Sequence, residues 1–317
     1  LSAAIRSGGG LVRFGQAHLR GVTPANASGS VAADPSLEPE PGPAPDAAPA
    51  GPPTDRGRPL TLFEKIVARH ALATPVTGSE PTPGQGAFVR ADLRFIHEYY
   101  TGMCAHLLNA TFGQALTLHD PASIVVFEDH TSYVATSPAH VAGGLVANVR
   151  AMCRAQRDFV ATHGLRSHRT LTEDEAARDD GSNLAGISHA MVSEHYALPG
   201  QLVAGTDSHT PHSGALGCVA FGVGTTDMAN AFVTGAVRLT VPEVLRVQLD
   251  GRLRPGVTAK DVVLHLLALP AIRAGAGVGK VFEFGGEAVR ALATDERATL
   301  TNMTAELFNR LRGKHTL

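Results

Sequence analysis

The sequence predicts an α/β fold with a largely parallel sheet, packed in three layers (α/β/α) from about residue 60 to residue 240. Three observations carry that reading. Short apolar runs of strand length, residues 123–127 and 201–204, alternate with longer stretches of helical period. Each run stops abruptly at polar residues, Glu128-Asp129-His130 after the first and Gly205-Thr206-Asp207-Ser208-His209 after the second, as strands do where a sheet meets its ligand crevice. The chain has 317 residues, 44% of them apolar, which suits two domains better than one.

In chain order, residues 1–21 come first, with Leu11, Val12, Phe14 and Leu19 spaced to line one helix face. Residues 22–59 hold 10 of the 20 prolines among Ala, Gly, Asp and Glu. Such a stretch buries too little apolar surface to offset the entropy of ordering it, and reads as a disordered linker. The folded region begins at Leu60. Thr61 and Glu64 have capping-box spacing and open a helix through Ala73, with Leu62, Ile66 and Ala73 roughly aligned. Residues 91–108 read as a second helix, and residues 137–163 as one long helix after Pro138. Residues 244–249 alternate apolar and polar, as a half-exposed strand does. Pro255-Gly256 turns the chain, and Thr258 with Asp261 starts a helix that runs to Leu269. A strand at 281–284 and a helix at 287–293 follow. Residues 60–240 are thus expected to form one α/β domain, and 241–317 an incomplete second one.

Composition excludes several function classes. With 27 Lys+Arg against 29 Asp+Glu the net charge is −2, which points to neither nucleic acid nor an anionic membrane. No apolar run approaches the roughly 18 residues of a membrane span. Cys104, Cys153 and Cys218 lie far apart without a C-x-x-C pair, so neither a disulfide framework nor a local zinc site is indicated, and a reducing, cytoplasmic setting is expected. The glycines at 214–224 and 275–279 miss both the G-x-G-x-x-G and the G-x-x-x-x-G-K-[ST] patterns, which argues against nucleotide binding.

Among the 15 histidines, the informative ones stand beside acids. Asp129-His130 and Asp207-Ser208-His209 each end a strand, and His189 lies in Gly186-Ile187-Ser188-His189. Either pair alone is as readily explained as a helix cap; both together, with His189, favour a site. A carboxylate beside an imidazole fixes its tautomer, raises its pKa and fits it to act as a general acid. The remaining histidines, His212 included, have no acid at a telling spacing and read as surface or core residues.

These residues belong to a pattern. Segments 199–227 (PGQLVAGTDSHTPHSGALGCVAFGVGTTD), 256–264 and 298–306 (ATLTNMTAE), with TLFEKI at 61–66, the pair 129–130 and GISH at 186–189, resemble the large subunit of the aconitase and 3-isopropylmalate dehydratase family. The resemblance runs from about Leu60 to Leu307; GVTAKD and the stretch 283–292 lie closer to the isopropylmalate and homoaconitate branch. It implies a hydro-lyase for a hydroxy polycarboxylate, with a four-iron four-sulfur cluster as Lewis acid and a serine base on a separate small subunit or fused swivel domain. It also implies roles. Asp129 pairs with His130, the acid for the leaving hydroxyl; Asp207 pairs with His189, and Glu306 with His209. Ser208 and, by a looser match, His97 contact substrate, and Asn302 sits beside the cluster.

The departures from the family pattern are equally specific. No cysteine here lies in a cluster-ligand motif, so the chain is expected to ligate no metal by itself, and residues 307–317 run off pattern, as a truncation or shifted frame would make them. Residues 3–19 loosely resemble the last helix of a small subunit, which suggests a small–linker–large fusion. Aconitate or homoaconitate hydration remains open on this reading. So do a metal hydrolase using Asp129, His130, His189, Asp207 and His209 as ligands, and a non-catalytic remnant.

Overall fold

A computed structural model describes residues 11–18, 59–72, 82–134, 136–179 and 186–309. Its strands are β1 (Ala71–Leu72), β2 (Gly86–Arg90), β3 (Leu93–His97), β4 (Ile124–Phe127), β5 (Arg166–His168), β6 (Leu202–Gly205), β7 (Val219–Gly222), β8 (Ala236–Thr240), β9 (Glu243–Gln248) and β10 (Lys280–Gly285). Five of them form the central sheet in the order β5-β4-β3-β6-β7, every neighbouring pair parallel.

Side-chain alternation along these strands builds the three predicted layers. Ile96, Ile124, Val126, Leu202 and Ala204 face a core completed by Cys104 and Leu108 of helix Glu98–Phe112, Phe159 of helix Val146–His163, and Met228 and Phe232 of helix Thr225–Thr234. Phe95, Val125, Phe127 and Val203 point to the other face, against Met191 and Val192 of helix Ser188–His195. A parallel strand covered on both sides is apolar along its whole length. β4, Ile-Val-Val-Phe, is such a strand, each side chain contributing about 1.5–3 kcal/mol by burial.

The reading of residues 91–108 as one helix needs correction at its start. β3 is buried at all five positions, so it lacks a two-residue alternation, and the helix starts only at Glu98. Arg94 is the cation in that strand. At 1% exposed, its guanidinium donates to the carbonyls of Ala231 (2.7 Å), His119 (2.9 Å) and Asp120 (3.0 Å), and to Ser123 Oγ, which compensates a burial otherwise costing several kcal/mol.

Two further helix predictions need correction. The expected long helix 137–163 is broken into Pro138–Ala142 and Val146–His163, because Gly143-Gly144 interrupts it and Gly144 adopts φ 70°. The helix opened by Thr61 has its capping box but ends at His70, since Ala71 and Leu72 pair with Val89 and Phe88. It buries Phe63, Ile66 and Val67, while Leu62 is exposed; Ala73 lies outside the described residues. β1, β2 and β8 form an antiparallel sheet that the sequence reading did not anticipate.

Residues from β9 onward gather around Val247, Val263, Leu267 and Leu300, with β9 and β10 in parallel register. Helix Ala259–Ala268 starts with the Thr258/Asp261 capping box, as the spacing predicts. Two contacts fix this part to the central sheet. Glu283 accepts the amide of Leu62 at 3.1 Å. Helix Thr294–Asn302 lies on the 3-10 turn Thr210–Leu216, so closely that a Cβ on Gly214 would come within 3.2 Å of Thr301 Cγ2. At the other end of the chain, helix Leu11–His18 packs on helix Thr225–Thr234, with Val12 in the main core. The linker expected over 22–59 lies, apart from Pro59, outside the described residues.

The close fit at the end of β6 is testable. A Cβ at Gly205 would sit 2.4 Å from both Phe95 Cζ and Thr210 Oγ1. Gly205→Ala is expected to lower the unfolding free energy by about 1–3 kcal/mol, read from the urea midpoint; a variant as stable as the parent would contradict this packing.

Candidate active site

Because β3, β4 and β6 are parallel, their carboxyl ends share one edge of the sheet. The chain runs outward from β3 through β4 to β5, then returns to β6 on the other side of β3. Connections that leave adjacent strands in opposite directions open a crevice at that edge. His97 closes β3, Glu128-Asp129-His130 follow β4, and Thr206-Asp207-Ser208-His209 follow β6. His189 comes from the first turn of helix Ser188–His195, and Asn302 and Glu306 from the helices Thr294–Asn302 and Thr304–Asn309.

The structure joins Asp129, His130, Asp207 and His189 into one chain of contacts. His130 Nδ1 lies 2.5 Å from Asp129 Oδ1, and its Nε2 lies 3.3 Å from Asp207 Oδ2. The other oxygen of Asp207 meets His189 Nε2 at 2.9 Å and accepts the backbone amide of His209 at 2.7 Å. Asp129 Oδ2 accepts the Ser188 amide at 2.8 Å. His209 Nε2 stands 4.0 Å from Glu306 Oε1, a looser couple with an exposed carboxylate. Ser208 is exposed at the mouth, and Asn302 Nδ2 is 3.3 Å from His212 Nδ1. His97 is 1% exposed and stacks beneath His130, ring centroids 3.9 Å apart, which places it behind that imidazole rather than in the mouth.

These contacts separate the protonation states. Hydrogen bonds to Asp129 and then Asp207 push His130 up from 6.5 to about 10. Burial would raise Asp129, but its bonds with His130 and Ser188 win and hold it at about 2. Burial is likewise outweighed at Asp207, whose bonds to His130 and His189 keep it far below the carboxylate range. His97, pressed down by burial and by the neighbouring His130, falls to about 4. At neutral pH the crevice therefore holds an imidazolium between two carboxylates, over a neutral imidazole.

Three residues at the site escaped the sequence reading. Glu98, fully buried, accepts from Thr131 N and Oγ1 at 2.7 and 2.8 Å. Ser188 supplies the amide on Asp129. His212, read as an ordinary histidine, has its ring centroid 6.1 Å from that of His189 and lies beside Asn302; it stands three residues from His209, the one signal that pointed to it. By contrast His119 and His168 do sit in packed surroundings, with Arg90 and with Phe127 and Tyr196.

The residues present do not fit an iron–sulfur cluster, which needs several convergent thiolates. Burial pushes Cys104 up to about 12 and Cys218 to about 11, Cys153 has Thr131 Oγ1 at 3.8 Å, and no two cysteines meet in a ligand group among the described residues. Nor is a hydrolase metal centre supported. His97, Glu98, Asp129 and His130 offer ligand atoms within 4.8 Å of one another. However, both nitrogens of His130 face carboxylates and both oxygens of Glu98 accept protein donors, so an ion would have to displace them. His189, Asp207 and His209 are not in that group.

Comparison with known proteins agrees with the motifs. The sequence model of the aconitase family (aconitate hydratase) matches residues 64–310. The chain is 34% identical over 250 residues to the 3-isopropylmalate dehydratase large subunit of Roseiflexus castenholzii, covering 78% of this chain and 48% of that protein. It is 31% identical over 248 residues to 3-isopropylmalate dehydratase large subunit 1 of Pyrococcus furiosus, covering 78% and 51%. Over 123 residues it is 43% identical to a putative mitochondrial aconitate hydratase of Emericella nidulans, covering 39% and 15%. The chain thus spans about half the length of the curated dehydratase relatives it matches. No helix among the described residues is long and apolar enough to cross a membrane.

The charge arrangement predicts a stability profile. His130 is raised, so its contribution is complete below pH 6.5 and is lost as pH climbs through about 10. Asp129 is depressed, so its contribution is present above 3.8 and is lost as pH falls through about 2. Urea unfolding is expected to show a plateau between those limits and an alkaline decline, with a shallower decline in Asp129→Asn; a flat profile in the parent chain would contradict the network.

Proposed function

Because the chain belongs to the aconitase family, we propose that it supplies the acid–imidazole half of a hydro-lyase site that dehydrates and rehydrates a hydroxy polycarboxylate, 3-isopropylmalate or a near relative. The observation that carries this reading is His130 held between Asp129 and Asp207. Its Nδ1 bond is short and orients the ring. Its Nε2 contact, at 3.3 Å, is the weaker one and the one a substrate hydroxyl can replace. A departing hydroxide is a far stronger base than an imidazole of pKa about 10, so transfer of the Nε2 proton to it is downhill. General acid catalysis of this kind contributes about 100- to 10,000-fold.

The same site lacks what holds the substrate's charges. None of the site residues named above is Lys or Arg, and the carboxylates already outnumber the imidazolium. Cations for a polycarboxylate therefore come from elsewhere, which supports a partner: a small subunit or a fused swivel domain. The four-iron four-sulfur cluster that the resemblance implies is assigned to thiolates other than this chain's three cysteines, which do not fit it. Helix Leu11–His18, seated on helix Thr225–Thr234, supports reading residues 1–21 as the tail of such a small-subunit domain, joined through 22–59 to an α/β domain over 60–240 and the start of a second over 241–317. The free cysteines suit a reducing, cytoplasmic setting. The Emericella match keeps aconitate as a second substrate reading.

Two measurements test the division of labour. Anaerobic incubation of the chain with iron and sulfide is expected to give no cluster EPR signal and no isopropylmalate turnover; either one from this chain alone would overturn it. In the enzyme assembled with its cluster-bearing and small-subunit parts, His130→Gln is expected to lower kcat about 100- to 10,000-fold with little change in KM; an unchanged kcat would remove His130 from the chemistry.

A further inference from the structure

We propose that Glu98 is the positioning residue of this site: its buried carboxylate clamps the 129–131 loop to the end of β3 and so holds Asp129 against His130 Nδ1. The inference rests on the reading of Asp129, His130 and Asp207 as proton-handling groups.

Glu98 is 0% exposed and is the first residue of its helix, yet it is not spent on capping that helix. Both oxygens reach across to the loop after β4. Oε1 accepts the amide and hydroxyl of Thr131 at 2.7 and 2.8 Å, and Oε2 accepts the amide of Asp129 at 3.3 Å. The two backbone amides flanking His130 in sequence therefore end on a single carboxylate. Burying a carboxylate costs several kcal/mol unless donors surround it. Here the donors come from the very segment that carries the acid–imidazole couple, so folding and site geometry are satisfied by one set of bonds.

The clamp is one of three restraints that converge on the couple. Glu98 fixes the backbone of Asp129, and Ser188 N at 2.8 Å fixes its free oxygen. His97, the residue before Glu98, fixes the plane of His130 by stacking at 3.9 Å with an interplanar angle of 13°. The junction of β3 with the helix Glu98–Phe112 thus delivers two consecutive side chains to one imidazole, the ring beneath it and the carboxylate behind its loop. Without Glu98, the amides of Asp129 and Thr131 lose their acceptors and the loop is free to turn Asp129 away from Nδ1.

The test is 15N and 1H NMR titration of His130 in the full chain. Among the described residues, Asp129, Asp207, His97, Tyr99, Glu98 and Cys153 are titratable groups that face its ring or loop. In the parent chain His130 should titrate well above an ordinary imidazole, with a downfield Nδ1 proton. Glu98→Ala is expected to weaken proton affinity at least tenfold, about one pKa unit, and to move that proton upfield. Glu98→Gln keeps an acceptor for Thr131 but turns an NH2 towards the Asp129 amide; it should shift both signals in the same direction by less, and it carries the test should Glu98→Ala not fold. Thr234→Val, at the end of the helix Thr225–Thr234 and away from the crevice, removes buried bonds to the carbonyl of Asn230 at 2.7 Å and from the amide of Ala236 at 3.1 Å; it should lower Tm and leave His130 unmoved. A folded Glu98→Gln with unchanged His130 signals would overturn the positioning role alone. A parent His130 that titrates near 6.5 would instead overturn the functional reading beneath it.

Discussion

A carboxylate withdrawn from water must be matched by donors, and at the carboxyl edge of the central sheet that requirement organises everything nearby. Asp129, Asp207, Glu98 and Glu128 all sit at or behind that edge. Asp129 and Asp207 share the imidazole of His130, Glu98 takes backbone amides, and Glu128 takes the guanidinium of Arg157 in a two-pronged pair at 2.7 Å each together with the amide of Thr170. The donors come from several elements, so the strands, the helix 188–195 and the 129–131 loop are tied together by polar groups where an apolar core cannot reach. The opposite edge is held by Arg94 and a ring of carbonyls. Charge closes both ends of a sheet whose middle is wholly apolar.

The fold class and the main site were legible in the sequence because the strands that matter are short, apolar and cut off by acids and histidines. β4 and β6 announce themselves this way, and so do the residues that follow them. β3 did not, because its own polar residues, Arg94 and His97, fall inside the strand and the apolar run continues into a helix without a break. The antiparallel pairing of β2 with β8 joins residues about 150 apart in the chain, which no local pattern encodes. Glu98 was invisible for a related reason. A glutamate at a helix start ordinarily faces water and the helix dipole, and only the arrival of the β4 loop turns this one inward. The pairing of acids with imidazoles followed from motif position, whereas the second contact of His130, with Asp207, needed the parallel register of β3 with its two neighbours.

The site is also one-sided in a chemically meaningful way. It has proton donors and acceptors, but among the described site residues the imidazolium of His130 stands against more carboxylates than it can balance, with no Lys, Arg or convergent thiolates. A half-site of this composition would repel a polycarboxylate held by it alone. The chemistry assigned to it is therefore that of an acid poised opposite a binding surface furnished by something else.

His209 hangs from the 210–216 turn, Glu306 from the helix pair that lies on that turn, and Gly214 is pressed under Thr301. The couple between them thus straddles the join between the sheet and the chain's C-terminal portion, at a separation of 4.0 Å. A molecule in the crevice that touched both side chains would therefore touch the sheet side and the C-terminal portion at once, beside the tight packing of Gly214 on Thr301.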